Sequence, residues 1–135
     1  MQIKLSSHGA YRHQYHIVWI PKYRRKVLVG EIKTRVESAI KEIGKFHPDV
    51  QVVKMNIQLD HVHLIIEIPP RYAVAEIVGK MKQNSSRKTG KKIKGEIFWS
   101  PGYFSSTVGM DEEEVMKYVE FQEKVDKGAY QLKLF

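Results

Sequence analysis

The apolar residues of this 135-residue chain change their spacing several times, and the order of those changes constrains the fold. Four segments rich in aromatic and β-branched residues are predicted as strands: 11–21, 50–57, 61–68 and 98–108. Three segments carry apolar residues three and four positions apart and are predicted as helices: 31–46, 74–81 and 111–127. Pro101-Gly102 breaks the last strand, while Asp111 and Glu114 can cap the last helix as a capping box.

The resulting order, β-α-β-β-α-β-α, predicts an α+β fold of the ferredoxin-like type. In this split βαβ arrangement, which RNA recognition motifs share, an antiparallel sheet carries its helices on one face. The last helix is additional to that unit. The sequence has no internal repeat and no linker-like tract, so we expect a single domain over residues 1–135. Because many functions use this fold, it does not by itself indicate an activity.

The chain is strongly basic, with 23 lysines and arginines against 15 acids, a net charge of +8 and a pI near 9.6. A positive surface of this kind attracts polyanions, of which nucleic acid is the commonest. The absence of cysteine excludes disulfides and thiolate metal sites. No apolar run reaches the roughly 18 residues of a membrane span, and the N-terminus lacks a signal-peptide core. We therefore expect a cytoplasmic protein.

Two histidines flank one valine at the start of the predicted strand 61–68, in the stretch LDHVHLIIEIPP. Residues two apart in a strand share a face, so His61 and His63 are predicted to lie together, opposite the core-facing Val62 and Leu64. Two imidazoles one pleat apart can chelate a metal ion. They suit Zn²⁺, Mn²⁺, Co²⁺ or Ni²⁺ better than Mg²⁺, which prefers oxygen ligands. The plainer alternative is a pair of solvent-facing polar residues.

The last predicted helix supplies a further candidate. Val115, Tyr118, Val119, Gln122 and Val125 form one stripe, in which a purely structural helix would carry an apolar residue at 122. Tyr118 and Gln122 are one turn apart and project from the same patch. Gln122 offers a neutral amide oxygen to a metal, and Tyr118 offers a phenol beside it. The alternative is an amphipathic helix with a tyrosine at its rim and a glutamine on its shoulder.

Together these stretches resemble a known family. HVH at 61–63, YVEFQ at 118–122, YHIVWIPKYRRKVL at 15–28 and WSPGYF at 99–104 are similar to the single-tyrosine HUH transposases of the insertion sequence 200/605 family. HUH stands for His-hydrophobic-His. The resemblance covers nearly the whole chain, with the motifs in the same order and at the same spacing. Two-tyrosine HUH enzymes differ in carrying a second tyrosine one turn along this helix, where the chain has Gln122.

The resemblance implies a transposase that excises and inserts mobile DNA as single strands and recognises imperfect hairpins near the element ends. Tyr118 would be the nucleophile, and His61, His63 and Gln122 would hold a divalent metal, Mg²⁺ or Mn²⁺. The implied partners are hairpin-bearing single-stranded DNA and a second copy of the chain, whose tyrosine helix can complete the histidine site. The expected location is the prokaryotic nucleoid, with no membrane partner.

Tyrosine chemistry fits this reaction because a covalent 5′-phosphotyrosine retains the phosphodiester energy, so a 3′-hydroxyl can later reverse the step. A free phenol, with a pKa near 10, is a poor nucleophile at neutral pH and needs help from a nearby cation. Asp60 and Glu67 are candidates to orient the metal-binding histidines through hydrogen bonds. The alternative assigns Asp60 to the turn and makes Glu67 an ordinary exposed strand acid.

Two basic segments are candidate DNA contacts. KYRRK at 22–26 places an aromatic ring among cations, a mixture that binds phosphates and stacks on bases. From it we predict contacts by Lys22, Tyr23, Arg24 and Arg25. The second segment lies at and beyond the second helix and contains Lys80, Lys82, Arg87, Lys88, Lys91 and Lys92. Lys82 and Arg87 are the contacts predicted there, against the alternative of a solvated charged surface.

Two other functions compete with strand transfer. A non-catalytic RNA- or DNA-binding module would use the same ferredoxin-like sheet, although the central strands lack the aromatic run of RNA recognition motifs. A small metal hydrolase would use the histidine pair but would leave Tyr118 without a role. A covalent protein–DNA adduct distinguishes the transposase from both.

Overall fold

The computed structural model describes residues 4–6, 9–11, 13–89 and 97–128. Its strands are β1 (Lys4–Ser6), β2 (Gly9–Tyr11), β3 (Gln14–Trp19), β4 (Gln51–Gln58), β5 (His61–Glu67) and β6 (Phe104–Ser106). Its helices are α1 (Gly30–Lys41), α2 (Ile43–Phe46), α3 (Val74–Thr89) and α4 (Glu112–Asp126), together with a 3₁₀ turn at Lys22–Arg24. In these residues no helix is long and apolar enough to cross a membrane.

Four strands form an antiparallel sheet in the order β4-β5-β3-β6, and β1 and β2 form a separate two-stranded antiparallel sheet. From β3 onward the chain runs β-α-β-β-α-β, and the strand that comes first in this unit lies in the interior of the sheet. This is the split βαβ arrangement. The predicted ferredoxin-like α+β fold is confirmed.

One face of the sheet carries the main hydrophobic core. Val62, Leu64 and Ile66 of β5 are fully buried and cluster with Ile17 and Trp19 of β3. Buried residues of α1 and α3 complete this cluster, so these two helices cover the same face. The predicted alternation along β5 is confirmed because each of these strand residues lies two positions from the next.

The opposite face carries a smaller apolar cluster. Val18 and Ile20, from β3 and its C-terminal flank, pack against Val115 and Val119 of α4, all four being nearly or fully buried. The sequence predicted an open face here, whereas α4 covers part of it. The extra C-terminal helix therefore lies across the sheet from α1 and α3.

Several local features differ from the predicted elements, among them α3, which continues to Thr89 beyond the predicted end at 81. The strand expected over 98–108 is reduced to β6 because Gly102 adopts a φ of +87° directly after Pro101. The helix expected over 31–46 divides at Glu42 into α1 and α2. The basic segment after β3 forms a 3₁₀ turn in which Tyr23 has a φ of +61°. The predicted cap is present, since Asp111 accepts a 2.8 Å hydrogen bond from the Glu114 backbone N–H.

Candidate active site

His61 begins β5 directly after the β4–β5 turn and is 6% exposed. Its Nδ1 lies 2.9 Å from Oδ1 of Asp60, the last residue of that turn. A carboxylate only accepts, so Nδ1 carries the proton and the lone pair of His61 is on Nε2. The structure thus places Asp60 as the partner that fixes the ring orientation of His61.

Asp60 is itself held by Arg24. The Arg24 Nε donates to Asp60 Oδ2 at 2.8 Å, and its Nη1 donates to Oε1 of Glu123 on α4 at 3.0 Å. Burial alone would raise the pKa of Asp60, but the hydrogen bonds and charges of His61 and Arg24 outweigh it and hold that pKa below its usual value. Arg24 therefore joins the carboxylate that orients His61 to the helix that carries Tyr118.

His63 shares the sheet face of His61 and is partly buried. Its Nε2 lies 3.3 Å from Nδ1 of His16 on β3, so one ring donates a proton to the other. Burial, and after it the electrostatic effect of the nearby His16, His61 and Lys54, lowers the pKa of His63. The neutral ring, which is the form that binds metals, is therefore favoured.

His16 was not among the site residues predicted from the sequence. The alternation of β3 could have placed it on the outward face with Val18. Its meeting with His63 depends on the β3–β5 register, in which Val18 lies opposite His63. Nothing in the sequence gives that register directly.

Tyr118 lies on α4 beside the cluster formed with Val18 and Ile20, which is the sheet face that bears the histidines. Its ring is 5.7 Å from that of Phe104, centroid to centroid. Burial, and after it the negative charge of Asp126, raises the pKa of Tyr118 to about 12. The phenol is therefore neutral at physiological pH.

Gln122, one turn beyond Tyr118, is 9% exposed. Its Nε2 donates to Ser100 Oγ at 2.8 Å and to Asp126 Oδ1 at 3.2 Å. Both amide protons are thus used, and Oε1 is the group left to bind a ligand. Asp126, whose side chain is 1% exposed, was not among the site residues predicted from the sequence. The signal was present, because Tyr118, Gln122 and Asp126 follow one another at intervals of four.

Glu67 lies at the end of β5 that is remote from His61. It ends β5, opposite Gln14 and Gln51, four residues beyond His63 and therefore about 13 Å away along an extended strand. The role of Glu67 in orienting either histidine therefore stays a prediction.

The predicted DNA contacts divide into two groups. Arg24 is engaged by Asp60 and Glu123, and Lys82 donates to the carbonyl oxygens of Ser100 and Gly102 at 2.8 and 2.7 Å. Burial lowers the pKa of Lys82 to about 8, against an opposing effect of Asp126. Both side chains therefore hold the protein together in this structure.

The side chains of the second group are exposed or half-buried. Tyr23 is 43% exposed and has the Lys22 Nζ 5.2 Å and the Arg25 Cζ 5.5 Å from its ring centre. Lys22 also reaches Asp126 at 3.5 Å. Arg87 is exposed on α3 and donates to Asn84. Lys91 and Lys92 lie outside the described residues.

Two imidazoles and an amide oxygen make a chemically suitable donor set for a divalent cation. His61 has its Nε2 lone pair, His63 favours its neutral form, and Gln122 has its Oε1. Within residues 13–89 and 97–128, no group of three or more histidine, aspartate and glutamate side chains could hold a metal ion. A third ligand from this part of the chain would therefore have to be of another type, such as an amide.

The fold and these side chains define a small α+β protein with imidazole, phenol and amide groups gathered around one sheet face. Residues 9–122 match the family model described as "Transposase IS200 like". The chain therefore belongs to the IS200-like transposase family, whose members are DNA-processing enzymes.

Individual relatives agree with this assignment. The transposase for insertion sequence element IS200 of Salmonella typhimurium is 30% identical, with 97% of this chain and 90% of the relative aligned. The ISDra2 transposase TnpA of Deinococcus radiodurans is 29% identical over 90% of this chain and 92% of its own length.

Two solved structures share the fold. A Deinococcus radiodurans protein assigned as a transposase superposes with a TM-score of 0.76, covering 88% of this chain and 97% of that one at 24% identity. A REP-associated tyrosine transposase bound to a REP hairpin superposes with a TM-score of 0.60, covering 92% and 75% at 15% identity.

Proposed function

We propose that this protein cleaves and rejoins single-stranded DNA at the hairpin-bearing ends of a mobile element, with Tyr118 as the nucleophile. The observation that carries the proposal is the placement of α4. Its Val115 and Val119 pack on the sheet face that bears His61 and His63, so phenol and imidazoles belong to one surface. The reaction would take place at the prokaryotic nucleoid.

In the cleavage step, the Tyr118 oxygen attacks the scissile phosphorus and the bond from phosphorus to the 3′-oxygen breaks. The phenol loses its proton, the departing 3′-oxygen gains one, and the downstream DNA stays attached as a 5′-phosphotyrosine. Rejoining reverses these bonds with a 3′-hydroxyl as the attacking group. With a pKa of about 12, Tyr118 would be ionised in only about one molecule in 10⁵ at pH 7. Cleavage would therefore need a group that assists the loss of the phenolic proton.

The metal-binding residues in this proposal are His61, His63 and Gln122, with Mg²⁺ or Mn²⁺ as the candidate ions. When bound, the divalent cation would neutralise charge on the scissile phosphate. Asp60 would keep the Nε2 lone pair of His61 available by accepting the Nδ1 proton. Arg24 would hold Asp60 in place.

The DNA partner is inferred from charge, from the family and from the hairpin bound to a fold relative. Tyr23, flanked by Lys22 and Arg25, is the best-placed group to stack on an unpaired base. Arg87 offers an exposed cation on the α3 side. A homodimer with an active site shared between subunits belongs to the same proposal, although in this structure α4 packs on the sheet of its own chain.

The test uses a single-stranded hairpin substrate carrying a label at either end, incubated with the protein and Mn²⁺. A denaturant-stable adduct should carry the label when the strand is labelled at its 3′ end and not when it is labelled at its 5′ end, because the tyrosine retains the downstream fragment. Tyr118→Phe should abolish the adduct. Tyr72→Phe is the matched control, since Tyr72 bonds Asp49 away from this face and its loss should leave the adduct intact.

Three outcomes would contradict the proposal: no adduct with the wild-type protein, an undiminished adduct with Tyr118→Phe, or label transfer from the 5′-labelled strand. A metal-independent complex that dissolves in detergent would favour the non-catalytic binding module instead.

A further inference from the structure

Asp126 lies at the C-terminal end of α4, one turn beyond Gln122, and its side chain is 1% exposed. Four groups surround its carboxylate. Oδ1 accepts from the Ser100 hydroxyl at 2.8 Å and from Gln122 Nε2 at 3.2 Å, while Oδ2 accepts from the Tyr23 backbone N–H at 3.0 Å. The Lys22 ammonium lies 3.5 Å from Oδ1. The carboxylate is therefore fixed by two other segments of the chain.

Only one assignment of donors and acceptors satisfies these hydrogen bonds. A carboxylate can only accept, so the Ser100 hydroxyl must give its proton to Asp126 and turn a lone pair towards Gln122. The Gln122 amide nitrogen then donates to both Ser100 and Asp126. A flipped amide would place Oε1 about 3 Å from a carboxylate oxygen, two acceptors facing each other without a proton between them. Asp126 thus determines which end of the Gln122 amide remains free.

We propose that Asp126 is a positioning residue that presents the Oε1 of Gln122, and not its amide nitrogen, to the bound metal. The inference rests on the proposed role of Gln122 as a metal ligand. A rotating amide would offer its oxygen for only part of the time, whereas a fixed amide offers it always. The Gln122 amide has both an oxygen and a nitrogen atom, and Asp126 ensures that the oxygen is the one available as a ligand.

The experiment measures Mn²⁺ affinity directly, from the loss of the free-ion electron paramagnetic resonance signal, and needs neither DNA nor activity. Asp126→Asn keeps the shape but can also donate, so it no longer excludes the flipped amide. We expect Mn²⁺ binding to weaken about tenfold, the lower end of the range for groups that orient metal ligands. Glu113→Gln is the matched control, because Glu113 is an exposed carboxylate of the same helix that pairs with Lys117 rather than with Gln122. It should change the affinity by less than about twofold.

A double-mutant cycle separates positioning from a general charge effect. In a Gln122→Ala background there is no amide to orient, so Asp126→Asn should cause no further loss. Equal losses in both backgrounds would overturn the inference, because they would show that the negative charge acts without Gln122. Melting temperatures of the metal-free variants check that each one is folded.

The cycle also distinguishes this inference from the proposed function. If the wild-type protein binds Mn²⁺ and Gln122→Ala weakens binding but Asp126→Asn does not, the positioning role fails and the proposed function stands. If the wild-type protein neither binds Mn²⁺ nor forms the DNA adduct, both fail together.

Discussion

The two faces of the central sheet are stabilised in different ways. The face under α1 and α3 is filled with hydrocarbon, as with the fully buried Leu64. On the other face of the described structure, the buried apolar cluster consists of Val18, Ile20 and the two valines of α4, with Met110, Met116 and Tyr118 packed against it. On that face, directed hydrogen bonds around His61 and Asp126 fix the orientations of polar side chains. One strand, β5, contributes to both faces through alternate residues.

This difference separates stability from chemistry. Apolar burial is non-directional, so the core face stabilises the fold without fixing any reactive atom. Buried polar groups must each find a partner, so the hydrogen bonds of the other face fix tautomers and amide orientations. We therefore expect substitutions on the first face to affect stability, and those on the second to affect metal binding and cleavage.

The largest effects should come from adjacent residues of β5. Leu64→Ala removes a fully buried side chain and should lower the free energy of unfolding by about 2–5 kcal/mol, without a specific loss of Mn²⁺ affinity while the protein stays folded. His63→Ala should cost less than about 1 kcal/mol but abolish cleavage. Urea unfolding measures the free energy of unfolding, and the adduct assay measures cleavage. A His63→Ala variant as unstable as Leu64→Ala would show that the two faces do not divide these tasks.

Substitution of Arg24 should have an intermediate effect, and it tests whether Arg24 stabilises the folded protein or binds DNA. Arg24→Ala leaves Asp60 and Glu123 without their guanidinium partner and should cost about 1–3 kcal/mol of stability. If Arg24 bound a DNA phosphate instead, the slope of log affinity against log salt would fall by about one. We expect that slope to be unchanged.

Lys26→Ala is the comparison for Arg24, because Lys26 is an exposed cation in the same basic segment. Removing an exposed lysine should leave stability unchanged. A smaller salt slope for Arg24→Ala, with full stability, would restore the role that the sequence predicted for it.

The buried apolar residues of both faces could be predicted from the sequence because their signal is local. The alternation of Val62, Leu64 and Ile66 gives the buried side of β5, and the helical stripe of α4 gives Val115 and Val119. The position of His61 beside Asp60 also follows from their adjacency in the chain. In each case a short period or a covalent neighbour carries the information.

The polar face could be predicted only in part, because its contacts join distant segments. His16 and His63 are 47 residues apart, and Arg24 and Glu123 are 99 apart. A basic segment such as 22–26 looks the same in sequence whether its arginine binds DNA or an internal carboxylate. Burial of Asp126 depends on Ser100 and on the 3₁₀ turn, which no periodicity predicts.

The smallest effect concerns the phenol of Tyr118. Its pKa of about 12 in the folded protein lies above the value near 10 expected when unfolded, so the folded state retains the proton longer. The resulting stabilisation is present below pH 10 and is lost as the pH rises towards 12. The wild-type protein should therefore lose stability relative to Tyr118→Phe between pH 9 and pH 11, as measured by urea unfolding. Tyr23→Phe is the control, because it removes a phenol whose ring is 43% exposed. It shows how the loss of one surface phenol changes the free energy of unfolding at these pH values. A pH-independent difference in the free energy of unfolding between wild type and Tyr118→Phe would mean that α4 does not stay packed on its own sheet. The contrast between the two faces would then hold only for the dimer.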